Sequence, residues 1–427
     1  MKIAIIGAGI SGLSAALALA KRGHQVEIFQ REAGVGGLIG TFDFAGTRIE
    51  HFYHFLCAKD AGYFRLCEEL GLAERLRFKK ARTGFYYDGR LYPFGSALDL
   101  LRFAPIPFNQ RIRFGIFALE AQVRQAWRAL DKLRAKPWLI QRIGQRAYDV
   151  IWEPLLALKF GGFHEEISAA WVWHRIHRVA RSKGRMGYLE GGTALLLDTL
   201  VARLTELGVV IHESRPVSEI LKADRSVRGV RTVDGAEHES DAVVSTVPLE
   251  VLAGLLPPDE LAYGESLRKI KYIGVVCLLF KLKRPVSNNF WLNVHDKRVP
   301  FNGIIEYTNL NPLEAKDGHI VYVPYYVATD HPYYTMNDDA LITQSWEALK
   351  LIAPHLRDED RIAHHVARAA YAQAICPAHF LDLLPKPQSP LGGLHLLDSV
   401  FLYPEDRTQS GHIFKAEECA RRIGNAS

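Results

Sequence analysis

The sequence predicts an α/β fold that opens on a Rossmann-type dinucleotide-binding unit. Three observations predict it. Residues 2–29 read as strand, GxGxxG loop, helix and strand. A second helix–strand run occupies residues 188–248. A last strand and helix close the chain from Leu394 onwards.

The opening unit is specific in its chemistry. Lys2 to Ile6 is a short apolar strand, and Leu13 to Lys21 is an Ala/Leu run of strong helix formers. Gly23 suits the left-handed cap that ends the helix, and Gln25 to Phe29 is the second strand. Gly7 serves the tight turn, Gly9 the approach of a pyrophosphate, and Gly12 the packing of helix on strand. The helix start at Ile10 and Ser11 offers free N–H groups and the positive end of the dipole to phosphate. The glycines interrupt the apolar run, so this segment is read as a strand and not as a signal peptide. The position after the second strand, where an acid holds a ribose in dinucleotide folds, is Gln30. Gln30 is expected to bond a ribose hydroxyl without bringing charge, with Arg31 beside it and Glu32 next.

Val35-Gly36-Gly37-Leu38-Ile39-Gly40-Thr41 follows at once. With the first loop, this double glycine resembles the second motif of the flavin amine-oxidase superfamily. That group includes protoporphyrinogen oxidase, phytoene desaturase-like enzymes and, more distantly, UDP-galactopyranose mutase. The resemblance implies FAD as the cofactor, with the Gly36-Gly37 loop beneath its phosphate and ribityl portion. The superfamily's Arg after the double glycine is Leu38 here.

The resemblance continues along the chain. Glu50-His51-Phe52-Tyr53-His54-Phe55 falls where the superfamily brings the backbone to the isoalloxazine. It implies that His51 lines the flavin, that Tyr53 faces substrate and that His54 is a candidate catalytic group. Tyr188 to Gly192 precedes a helix to Leu207, and strands follow at Val209–Ile211 and Val217–Ile220. Val217 takes the place beside the adenine. Asp241 to Pro248, DAVVSTVP, matches a strand that passes the cofactor phosphates, which implies Thr246 and Pro248 as neighbours. Leu394 to Leu397 precedes Asp398, where the superfamily has Gly-Asp. Asp398 is expected on the ribityl or pyrophosphate. The helix from His412 to Ile423 is expected to point its start, with Gly411, at the flavin pyrimidine ring. The FAD-binding domain is therefore expected to be discontinuous in sequence, built from 1–60, 186–262 and 390–427. An α+β substrate domain completes the fold, with a mainly helical subdomain at 61–185 and a mixed sheet at 263–389.

In the helical part, Gly62–Leu76, Ser96–Ala104, Phe108–Lys136 and Ile140–Leu158 carry helical periodicity. Thr83 to Pro93 reads as a hairpin turning at Asp88-Gly89. Phe103 to Phe108 with Arg111 to Phe114 is apolar with basic flanks, the pattern of a peripheral membrane contact or of core packing. Trp171 to Arg185 is basic and aromatic, with Arg175 placed to clamp an anionic substrate. In the sheet part, Val275–Lys281, Phe301–Tyr307 and His319–Val327 are the clearest strands. Asn302, Asn309, Tyr322 and Tyr325 are candidate substrate residues. Alternation sets Asn302, Ile304 and Glu306 on one face, and a buried Glu306 would have a raised pKa suited to a general base.

Composition bounds the rest. The chain of 427 residues is too long for one core and has ordinary apolar and charged fractions of 48% and 23%. Its net charge of +6 is uneven: residues 96–187 hold 16 Lys and Arg against 7 Asp and Glu. This excess attracts anions, but no nucleic-acid motif accompanies it. The five cysteines are odd in number and lack CxxC spacing, which fits a reducing, cytoplasmic compartment and offers no Cys-based metal site. No stretch is long and apolar enough to span a membrane. The expected activity is hydride transfer from a substrate C–H or C–N bond to flavin N5, with oxygen, quinone or another carrier as electron acceptor. Two alternatives are a UDP-galactopyranose mutase-like non-redox reaction on a nucleotide sugar, and a flavin- or lipid-binding module without turnover.

Overall fold

A computed structural model describes residues 1–123, 126–182, 184–312 and 318–426. A five-stranded parallel sheet forms the base. Its spatial order is Val210–His212, Gln25–Phe29, Lys2–Ile6, Ala242–Ser245 and Leu394–Leu396. Ile6 pairs with Phe29 on one side and Ser245 on the other, so the three strands end level above the glycine loop. A parallel strand is covered on both faces, which is why Ile3 to Ile6 is continuously apolar and buried. On one face the helix Ile10–Ala20 packs with the helices Gly192–Glu206 and Gln409–Ala426. On the other lies a three-stranded antiparallel sheet, Val217–Ala223, Ser226–Thr232 and Glu237–Glu239.

Above the ends of these strands stands a seven-stranded mixed sheet. Its order is Arg361–Ala374, Tyr272–Leu282, His319–Val327, Gly303–Glu306, Trp291–His295, Thr83–Tyr87 and Arg90–Pro93. Strand periodicity divides its side chains. Cys277, Leu279, Ile305, Tyr322 and Tyr326 face the core shared with the parallel sheet and the helical segment. Val276, Leu278, Phe280, Ile304, Val323 and Tyr325 face the helix Asp338–Ile352.

The hairpin turns at Asp88 and Gly89, both at positive φ (47° and 76°), as the sequence predicts. Its strand Thr83–Tyr87 pairs in parallel with Trp291–His295. The hairpin therefore completes the tyrosine-rich sheet instead of standing among the helices that surround it in sequence. The expected helices are shorter than their periodicity. The first stops at Glu69, and Leu76 begins a strand. Phe108–Val123 is followed by a 3₁₀ turn, Arg128–Lys132, and a helix, Ala135–Ile143, while residues 124–125 of the expected helix lie outside the described set. Gly144, at φ +94°, separates that helix from the next.

Candidate cofactor and active site

The glycine loop is fixed by contact. A Cβ on Gly12 would sit 2.0 Å from the Gly7 carbonyl oxygen, and one on Gly7, at φ +104°, would sit 2.5 Å from Thr246 Oγ1. Thr246 hydroxyl donates to the Ile6 carbonyl at 2.8 Å, so it props the loop rather than facing a ligand. The double-glycine loop lies directly against the first. Gly9 and Gly36 form a parallel bridge, and Gly36 N–H donates to the Ala8 carbonyl at 2.8 Å. Gly36, Gly37 and the start of the first helix thus form one bare backbone cradle. No side chain caps that helix among the described residues, so its first N–H groups face the cradle.

A second helix N-terminus meets this one. Ser11 Oγ lies 2.7 Å from Nδ1 of His412, in the first turn of Gln409–Ala426. Gly411 is wedged against Leu402 and Thr408, and its N–H donates to Thr408 Oγ1 at 3.0 Å. Burial, with Arg407 nearby, pushes the His412 pKa down to about 4, so the imidazole is neutral. His54 is likewise pushed down to about 4 by burial and Arg407, and its Nδ1 is buried without a hydrogen-bond partner among the described residues. A weakly basic imidazole is a poor general base, but an unpartnered nitrogen suits contact with a ligand.

Several sequence expectations change in the folded chain. Gln30 Oε1 accepts from the Ala8 N–H at 3.0 Å, so its carbonyl braces the loop and only its amide N–H groups stay available for a ribose. Arg31 is exposed and paired with Glu32. Asp398 is buried and its carboxylate is fully engaged: it accepts from Leu249 N–H (2.8 Å), Val400 N–H (2.9 Å), Ser399 Oγ (2.9 Å) and Tyr272 Oη (2.5 Å). Burial raises its pKa. It ties three elements beneath the site instead of presenting an oxygen to a ligand. Pro248 opens the helix Leu249–Leu255 beside it. Val217 begins its strand, paired with Thr232, and Leu38 is half-buried in the turn Gly37–Ile39. His51 stacks on Phe42, ring centres 4.2 Å apart.

The substrate candidates separate by sheet face. Tyr53 and Tyr322 lie on the inner face: Tyr322 donates to the Glu50 carbonyl at 2.8 Å, and Tyr53 Oη lies 3.0 Å from Tyr326 Oη. Tyr325 is on the opposite face, bonded to Ser345 at 2.7 Å, because alternation sends neighbouring residues to opposite sides. Glu306, in register with Ile304, is also turned away from the inner face. It accepts from Val286 N–H, Ser287 N–H and Ser287 Oγ, and burial raises its pKa to about 7. These bonds hold the loop at Val286 and Ser287. Asn302 precedes that strand, and Asn309 donates to the Ser287 and Asn289 carbonyls. Arg175 is paired with Asp406 at 2.5 Å and Arg178 with Asp60 at 3.1 Å, so neither is a free anion clamp.

The residues missed by sequence reasoning are Lys159, Tyr326 and Arg407. Arg407 donates to Tyr326 Oη at 2.8 Å and to the Ala372 carbonyl, which links the inner face of the sheet to the start of the C-terminal helix. Each looks unremarkable in sequence, and only the meeting of three distant segments brings them together. Away from this site, Glu27, His212 and His238 bring potential metal-ligand atoms within 4.8 Å of one another. They come from separate strands and leave no local motif.

The bare glycine cradle, the uncapped helix start and the His54 nitrogen buried without a partner among the described residues fit a dinucleotide cofactor. These features define the class: a flavoprotein with a Rossmann-type FAD-binding unit and a substrate domain. The chain belongs to the flavin containing amine oxidoreductase family, whose model matches residues 10–396. It is 27% identical over 316 residues to the 15-cis-phytoene desaturase of Arabidopsis thaliana, a match covering 68% of this chain and 56% of that protein. It is 29% identical over 284 residues to the 15-cis-phytoene desaturase of Synechococcus elongatus, covering 60% of each. The matched region thus spans little more than half the length of these relatives. Among solved structures, reduced UDP-galactopyranose mutase superposes with TM-score 0.79 at 17% identity, covering 100% of this chain and 96% of the mutase. Putrescine oxidase bound to putrescine superposes with TM-score 0.74 at 15% identity, covering 100% and 99%. These two share the fold.

Proposed function

We propose that this protein transfers hydride from a substrate C–H or C–N bond to FAD and passes the electrons to a small acceptor. The observation that carries this is the meeting of two helix N-termini at Ser11 and His412, with the double-glycine loop beside them. In this reading residues 1–60, 186–262 and 390–427 form the cofactor domain, and 61–185 with 263–389 form the substrate side. Bound FAD supplies the hydride acceptor. Ile10 and Ser11 N–H groups hold the pyrophosphate, and the C-terminal helix stabilises negative charge on the ring system. Tyr53, Tyr326 and Arg407 orient the substrate from the sheet side. Arg175 and Arg178 of the diphosphate-clamp alternative are already paired with Asp406 and Asp60, which favours redox chemistry over the mutase reaction. The test is the visible spectrum of the purified protein under anaerobic dithionite, then air. Flavin bands that bleach and return are expected, and the rate of return separates an oxidase from a dehydrogenase. A protein that stays colourless after FAD is added would overturn the proposal.

A membrane-surface location is part of this reading, carried by the exposed part of the apolar stretch singled out in the sequence and by the helix that continues it. Phe103, Ile106 and Phe114 are buried. Phe108, Ile112, Ile116, Leu119 and Val123 are exposed and recur at i, i+4, i+8, i+11 and i+15, one stripe on a helix whose opposite face buries Phe114, Phe117 and Ala121. Leu98 and Leu101 of the preceding helix are also exposed. Such a stripe flanked by Arg111 and Arg113 suits the headgroup boundary of a bilayer. Among the described residues no helix is long and apolar enough to cross one. Co-sedimentation with anionic vesicles, lost in an Ile116→Glu/Leu119→Glu variant, is the expected result. Equal sedimentation of both proteins would refute it.

A further inference from the structure

Glu27, His212 and His238 meet on strands that are far apart in sequence. Glu27 lies in Gln25–Phe29, and His212 ends the edge strand Val210–His212 that pairs with it. His238 comes from Glu237–Glu239, in the three-stranded sheet that covers this face. Alternation puts Glu27 and Phe29 on the same face of their strand, and the register sets His212 beside Phe29. The buried Phe29 ring orders both imidazoles. It stacks on His212 with ring centres 4.8 Å apart and meets His238 edge-on at 4.6 Å. The two imidazoles are thereby held with their centres 5.4 Å apart.

Glu27 Oε2 lies 2.7 Å from His212 Nε2 and 3.8 Å from His238 Nδ1. The first separation is a hydrogen bond and the second is too long to be one. The other ring nitrogen of His238, Nε2, is buried without a partner among the described residues. A Glu27–His212 pair accounts for two of the three residues, and the placing of His238 against the same oxygen points to a shared ion. One ligand atom from each residue lies within 4.8 Å of the other two. Two donors on one tetrahedral zinc ion stand about 3.4 Å apart, so the 2.7 and 3.8 Å separations straddle that spacing. Small side-chain rotations would close the set. His212 can take part because a neutral imidazole moves its proton to Nδ1 and frees the Nε2 lone pair. The three side chains are half-buried, which leaves room for water to complete the coordination. Two imidazoles and one carboxylate suit zinc and its neighbours, whereas magnesium and calcium take oxygen donors.

We propose that Glu27, His212 and His238 bind one divalent transition-metal ion of the zinc class, with water as the remaining ligand. The ion is a staple that ties the edge strand and the small antiparallel sheet to the second strand of the parallel sheet. The His212 carbonyl accepts from Gln30 N–H at 2.9 Å, and Gln30 Oε1 accepts from Ala8 N–H at 3.0 Å. The staple thus adjoins the residue that braces the glycine loop. No reaction is assigned to the ion, and the site does not depend on the flavoenzyme reading.

The test is calorimetric titration of zinc chloride into the full-length protein as isolated, after chelator treatment and dialysis, with magnesium chloride as the comparison. One tight equivalent of zinc is expected, with no measurable magnesium binding at the same concentrations. The chain has 17 histidines, and exposed imidazoles collect zinc weakly, so variants must locate the ion. Glu27→Gln keeps the shape and the acceptor for His212 but removes the charge. It and His238→Gln are each expected to weaken zinc by about a hundredfold, the upper end of the loss when a mere supporting partner of a ligand is removed. His355→Gln, at an exposed histidine elsewhere, is expected to bind as the native protein does. Absence of a tight equivalent in the native protein overturns the proposal. Undiminished binding in Glu27→Gln or His238→Gln also overturns it, and the outcome is then an adventitious ion only. X-ray absorption at the zinc edge of the one-to-one complex needs no variant, so it decides the matter should these fail to fold. Two imidazoles with oxygen donors are expected, and a sulfur donor or a single imidazole would refute the site.

Discussion

Ser11 Oγ and His412 Nδ1 meet at 2.7 Å across 401 positions of sequence. The contact brings together the positive ends of two helices that share one apolar core. Two such ends repel unless an anion lies near both. FAD is therefore expected to raise the unfolding temperature, and His412→Ala to weaken FAD binding by about tenfold or more, the scale of one buried polar contact. A fluorescence titration of apoprotein with FAD measures this. An unchanged affinity in the variant would show that the contact does not shape the cradle.

Gly12→Ala is predicted to abolish cofactor binding. The new methyl group would fall 2.0 Å from the Gly7 carbonyl oxygen, and that atom is backbone with no room to retreat. Gly23→Ala serves as the control: Gly23 carries the strain of positive φ, which Gly12 does not, yet nothing lies within 4 Å of its added carbon. The ratio of flavin to protein absorbance after purification should be near zero in the first variant and normal in the second. A yellow Gly12→Ala protein would refute the packing argument.

Acid should destabilise the fold well before the carboxylates titrate. His54, His174, His395 and His412 are each pushed down to about 4, in every case chiefly by burial. Their folded pKa lies below the unfolded value of about 6.5, so the unfolded chain binds protons first. Their contribution is intact above pH 6.5 and is lost as the pH falls towards 4. Unfolding temperature followed across that window should drop steeply. A flat profile between pH 6.5 and 4.5 would mean these imidazoles are not neutral and enclosed.

Glu306→Gln is predicted to leave the rate of flavin reduction unchanged while altering stability. The carboxyl holds Val286 and Ser287 on the outer side of the sheet, and burial raises its pKa to about 7. Ionising it costs more inside the fold than outside, so its contribution falls as the pH rises from about 4.5 through 7. The variant should lose that pH dependence. Stopped-flow reduction would separate the cases, since a large fall in rate with normal stability would restore Glu306 as a base.

The local parts of this fold were legible because their physics is local. The opening strand, Gly7 to Gly12 and the Asp88-Gly89 turn each act through near neighbours, and the structure has all of them where the pattern sets them. The FAD family is legible for the same reason, through the double glycine at 36–37. What stayed hidden depends on which distant group arrives first. Gln30 and Asp398 carry the right polar atoms, yet protein N–H and O–H groups reach them. Tyr325 and Tyr326 are adjacent and chemically alike, but alternation sends one to the outer helix and the other to the inner cavity. Lys159 is one lysine among many until Tyr326 and Trp171 close around it.

The parallel sheet takes its edge strand from Leu394–Leu396, and the cradle takes its second wall from Gln409–Ala426. A chain still leaving the ribosome therefore exposes the glycine loop well before its partner, the helix Gln409–Ala426, has been made. Cofactor capture waits on that helix, and fragments ending before Gln409 should emerge colourless however well their first strands fold. The same arrangement makes held flavin a sign that the chain has been made through the helix Gln409–Ala426, since a cell that scavenges unliganded protein would clear shorter copies without any separate signal.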